Sequence, residues 1–141
     1  MTAPSARHAG LHPPRLITVL RLSCVLAAAA LGALVLYAGQ PGHLAWWAGS
    51  LPLALWVIGP AVTPCLVASR RSPPWFVIAM LAYLAVSSLL SGLAYADAFF
   101  RSTSSTAALT LVFIPLYQWV ALAVLLLLCL GVRLGRRGVG R

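Results

Sequence analysis

Between Leu22 and Ser69 the chain runs for 48 residues without a charged side chain, between Ser72 and Ala96 for 25, and between Ser102 and Val132 for 31. A helix crosses the hydrocarbon layer of a bilayer with about 20 apolar residues. The first gap is therefore long enough for two crossings and each of the others for one. Nine of the ten arginines fall in three places: Arg7, Arg15 and Arg21 before the first gap, Arg70 and Arg71 between the first two, and Arg133, Arg136, Arg137 and Arg141 after the last. The pattern predicts an all-α fold, a four-helix transmembrane bundle.

Composition agrees with that architecture. Of 141 residues, 62% are hydrophobic and 8% charged, against about a quarter charged in an average soluble domain. A net charge of +9 would suggest nucleic acid if the chain were soluble. Beside apolar spans, arginines answer instead to anionic headgroups and to insertion bias. Membrane lipids are the expected partners, and nucleic acid is not. Asp97 is the single acidic residue and lysine is absent, a usage that fits a GC-rich bacterial genome.

The spans are expected at about 16–38, 44–68, 75–96 and 107–132. Residues 1–15, with Pro4, Pro13 and Pro14 among Arg and His, read as a disordered lead-in, and 133–141 as a basic tail. The apolar run from Leu22 to Ala38 is longer than a secretory signal core, and cleavage after Ala38 would leave the bulky Leu36 at the third position back, so the first helix is expected to be retained. Gln40 to His43 is short enough to make the second helix antiparallel to the first. Pro52, Pro60 and Pro64 each remove an amide donor from the second span, predicting a bent or partly unwound helix with Thr63 as a local donor to freed carbonyls. Ala28 with Gly32, and Ser88 with Gly92 and Ala96, form rows of small residues expected to pack inside the bundle. Ser104 to Thr106 offers an N-cap to the fourth helix.

Orientation follows from the cations. The side holding both termini and the Arg70 turn carries nine arginines, whereas the other carries Arg101, offset by Asp97. The positive-inside rule assigns the first side to the cytoplasm. Trp46 and Trp47 on one side and Trp75 on the other suit the aromatic belts at the two interfaces.

Few residues are candidates for chemistry. Gln118 lies deep in the fourth span, three residues after Pro115, which frees the carbonyl of Leu111. Its amide can join helices, or line a polar pocket with Tyr117 and Thr110; the first is the expected role, because no ionisable residue shares its layer. Asp97 and Arg101, four apart, can pair where the third span leaves the bilayer. Cys24, Cys65 and Cys129 each lie close in sequence to an arginine at similar depth. Clustered thiolates would suit a soft metal, but no Cys-x-x-Cys pair is present and buried cysteine mostly packs, so no metal site is expected. Phosphate-loop, nucleophile–base, zinc-helix and dinucleotide glycine patterns are absent. With one Asp and three His, two of them in the lead-in, catalysis and a cofactor are not expected.

Tyr95 to Phe100, Ser105 to Leu109 and Phe113 to Gln118 together resemble a pattern in small four-span proteins of bacterial inner membranes, a family with no assigned activity. Small four-span multidrug transporters, by contrast, depend on a glutamate in the first helix, and this chain has no glutamate. The resemblance implies an inner-membrane location. The expected role is a non-catalytic accessory or structural membrane protein; the alternative is an oligomeric small-solute transporter or channel, so that the expected partner is another membrane protein under the first reading and a homo-oligomer under the second.

Overall fold

The computed structural model describes residues 13–38, 42–98 and 107–138. They form four helices: α1 (Pro13–Ala38), α2 (Leu44–Val67), α3 (Pro74–Ala96) and α4 (Ala107–Gly138). All four are long and apolar enough to cross a membrane, and the protein is a multi-pass membrane protein by architecture. Residues 1–12, 39–41, 99–106 and 139–141 lie outside the described residues, with the Ser104–Thr106 cap, part of the expected Gln40–His43 turn and most of the expected disordered lead-in.

Two helix ends differ from expectation. Helix α1 begins at Pro13 because a first turn has no use for the amide protons that Pro13 and Pro14 lack, and a fixed proline φ suits it. Helix α4 continues to Gly138, through Arg133, Arg136 and Arg137 that the sequence assigns to a tail. Cations at a helix C-terminus are favoured by the exposed carbonyls there, so the charge that ends the span does not end the helix.

Helices α1 and α4 each pack on both α2 and α3 but not on each other, and α2 also touches α3. The arrangement is a rhombus with α2 and α3 across its short diagonal. Each helix places at least one large side chain almost fully inside, among them Leu20, Val57, Met80 and Leu122. The contiguous core runs through Leu16 to Cys24, Ala61 to Ala68, Val77 to Leu84 and Leu122 to Cys129. These segments belong to the half of the bundle next to the Arg70 turn. The outer surface is apolar instead: Leu66 is 77% exposed, Leu55 74% and Leu127 68%, a surface that lipid tolerates and water does not.

Helix α2 is continuous across Pro52, Pro60 and Pro64, not unwound. The Thr63 hydroxyl donates to the carbonyl of Gly59 at 2.8 Å, one residue before the Pro60 carbonyl that Pro64 frees. The helix ends at Ala68, whose backbone N–H reaches Pro64 O while its own ψ turns extended. Ser69 and Ser72 then close the turn: Ser72 N–H donates to Ser69 O at 2.9 Å, and Ser69 N–H donates to Ser72 Oγ at 3.0 Å. Pro73, extended, caps α3 and Pro74 opens it.

Of the two small-residue rows, the one on α1 packs as expected. A Cβ on Gly32 would lie 3.7 Å from Ile58 of α2. The row on α3 does not. Ser88, Gly92 and Ala96 are exposed, and a Cβ on Gly92 would meet nothing within 4 Å. The row lines the hollow between α1 and α3 and is not a packing seam.

Candidate functional site

The polar centre of the bundle joins α3 to α4. Tyr83, Ser87 and Ser91 recur every fourth residue, which stacks them on one face of α3, and that face meets Gln118 on α4. The Tyr83 hydroxyl donates to the backbone carbonyl of Gln118 at 3.0 Å. The Gln118 side-chain amide donates to Ser91 Oγ at 2.5 Å and to the Ser87 carbonyl at 3.4 Å. Ser91, only 3% exposed, passes its own proton to Ser87 O at 2.6 Å. In an apolar medium each of these groups would otherwise be left without a partner.

Gln118 lies nine residues into the span that begins at Leu109, and Ser91 five residues from the end of the span at Ala96. The layer thus sits toward the Asp97 side, beyond the tightly packed half. It separates two hollows that share Ser87, Ser91 and Gln118 as a wall. One is a lateral, apolar groove of about 750 Å³ between α3 and α4. The other, about 250 Å³, is lined from α1 by Ala27 and Leu31 and from α3 by Ser88, Gly92 and Tyr95.

Of the pocket of Gln118, Tyr117 and Thr110 considered from sequence, Gln118 and Tyr117 line the apolar α3–α4 groove together. Tyr117 is 68% exposed, and Thr110 lines neither hollow. The partners of Gln118 come from α3, and the signal for them was the four-residue spacing of Tyr83, Ser87 and Ser91. Asp97 is exposed at the C-cap of α3, six residues or about 9 Å along the helix from Ser91. Arg101 lies outside the described residues, and the Asp97–Arg101 pair with it. Among the described residues, then, Gln118 and Asp97 do not share a site.

A second contact braces α4 at its proline. The Trp56 indole donates to the Val112 carbonyl at 3.2 Å, in the turn that Pro115 disturbs, next to the Leu111 carbonyl deprived of its donor. The Trp56 and Trp119 rings lie 6.4 Å apart at 37°. The Trp119 Nε1 is buried and has no hydrogen-bond partner among the described residues.

The cysteines divide. Cys24 and Cys129 are buried in the core, and Cys65 is half-buried against it. No group of three or more His, Cys, Asp and Glu side chains among the described residues could hold a metal ion. What the arrangement performs is helix joining: donors and acceptors are spent on one another across α3 and α4. No protein-family model, curated protein or solved structure matches this chain.

Proposed function

We propose that this chain is a non-catalytic component of a bacterial cytoplasmic (inner) membrane, an accessory or structural protein acting through helix packing, with both termini cytoplasmic. The observation that carries the role is the commitment of Gln118: its amide and its backbone carbonyl are both bonded to α3. A residue so engaged is a joint between helices. The resemblance to small four-span inner-membrane proteins supports the location, and the cation count supports the orientation.

The test of the role is the mass of the complex extracted from native membranes in mild detergent. A different membrane protein travelling with the chain in fixed stoichiometry is the expected result, whereas a lone monomer would overturn an accessory role. Orientation is checked separately, in a background with the three native cysteines replaced. His43→Cys is expected to react with a membrane-impermeant maleimide in intact cells, and Arg70→Cys only after lysis. The reverse order of labelling would invert the topology.

One observation favours a second reading, an oligomeric small-solute transporter or channel. The hollow of about 250 Å³ is walled by Ser87, Ser88, Ser91, Tyr95 and Gln118, hydroxyls and an amide able to take over part of a solute's hydration. Passage would require the Gln118–Ser91 bond to open. A homo-oligomer in the extracted complex would favour this reading over the first.

A further inference from the structure

At the arginine-rich end of the bundle, the α2–α3 turn and the last turns of α4 enclose a hollow of about 470 Å³. Arg71 comes to it from the turn and Arg133 from α4, with Ser69 and Ser72 alongside. Below them the wall becomes apolar, through Leu126 and Leu130. Charged at the mouth and greasy along the side, the hollow has the polarity profile of a phospholipid.

The chain cannot neutralise this site with a side chain of its own. Asp97, the single acidic residue, stands at the opposite end of α3, 23 helical residues away, or about 34 Å. Two guanidiniums facing one cleft with low-dielectric walls concentrate a positive field that only an external anion relieves. Arginine's planar fork is matched to phosphate oxygens. The hydroxyls add a donor. Ser69 Oγ accepts from Arg71 N–H and Ser72 Oγ from Ser69 N–H, and one hydroxyl proton suffices for the 3.4 Å contact between them. The other proton is available to a ligand.

We propose that this hollow is a phosphate site occupied by an anionic phospholipid, the phosphate held between Arg71 and Arg133 and the acyl chains lying along Leu126 and Leu130. The proposal rests on the four-span architecture and not on the role proposed above. It differs from general attraction of basic residues to an anionic surface, which would treat Arg70 like its neighbours. Arg70 does not line the hollow.

Cys129 does line it and serves as a native reporter. The full chain is reconstituted in nanodiscs of phosphatidylcholine with or without phosphatidylglycerol, and alkylation of each cysteine is followed by peptide mass mapping. Phosphatidylglycerol is expected to slow Cys129 alkylation about tenfold, the scale of one charge-assisted hydrogen bond, leaving Cys24 and Cys65 unchanged. Arg71→Gln with Arg133→Gln should abolish the protection, and Arg70→Gln should keep it. Circular dichroism checks that both variants remain helical; Arg133→Gln alone, expected to lose most of the protection, replaces the pair if the pair does not fold. No protection in the native chain, or equal loss in the Arg70 variant, would overturn the site. Inorganic phosphate added to phosphatidylcholine discs is expected to protect weakly. Equal protection by it would overturn the lipid assignment in favour of a soluble phosphate.

Discussion

Gly59→Ala is expected to lower the stability of the bundle by about 1–3 kcal/mol, the range for overpacking a filled interior. A Cβ at this position would lie 2.5 Å from Cζ2 of Trp119, with Cη2 at 3.3 Å and Cε2 at 3.5 Å. The indole has no easy retreat. It lies against Trp56, and Trp56 is itself tied to the Val112 carbonyl. Elsewhere in a helix interior, alanine is better than glycine by roughly 1 kcal/mol, so a loss here isolates the clash from backbone propensity. Gly59→Val should be worse still. Trp119→Phe, which removes the offending edge of the ring, should restore much of what Gly59→Ala loses, although alone it removes packing. Unfolding by SDS titration, read through the helical signal, measures all three. A Gly59→Ala variant as stable as the parent would mean that α2 and α4 do not approach as described.

The second large effect concerns the joint between α3 and α4, and it is asymmetric. Gln118→Leu removes the amide but leaves Ser91 donating to Ser87 O, so no buried donor is orphaned. Its expected cost is about 0.6–2 kcal/mol, as for polar contacts between membrane helices. Ser91→Ala instead strips the amide of its shorter partner, leaving only the 3.4 Å contact to Ser87 O. The expected cost rises to about 1–3 kcal/mol, because an unmet donor bears its full desolvation penalty. In the double variant the two losses should not add, since both break one bond. Additive losses would mean that Gln118 and Ser91 act independently.

Much of this fold was legible in the arrangement of charges. Gaps between arginines placed four helices and most of their ends, because the cost of burying a guanidinium in lipid is large enough to override local preference. The exceptions are instructive. Pro13 and Pro14 looked like disorder and open a helix; Arg133 to Arg137 looked like a tail and extend one. Charge ends a span, but backbone hydrogen bonding ends a helix.

Rotation of each helix about its axis was not legible. In a span that is apolar all round, no periodicity marks the inward face, and packing around Met80, Leu84 and Leu122 decides it. Hence Gln118 could be picked out by its depth, whereas the spacing of Tyr83, Ser87 and Ser91 marks a stripe on α3 without saying that the stripe faces α4. The row of Ser88, Gly92 and Ala96 stood out by its small size, whereas the row beside it, Tyr83, Ser87 and Ser91, carries the contacts.

The central claim is that Gln118 joins helices and does not line a pathway. It is tested most directly by reconstituting the native chain and Gln118→Leu in liposomes and measuring, in the same preparations, solute flux and the integrity of the complex. The expected result is no flux above empty liposomes for either protein, with the complex of the variant dissociating at lower detergent concentration. Flux through the native chain that disappears in a fully assembled Gln118→Leu complex would contradict the claim and establish the polar layer as part of a transport route.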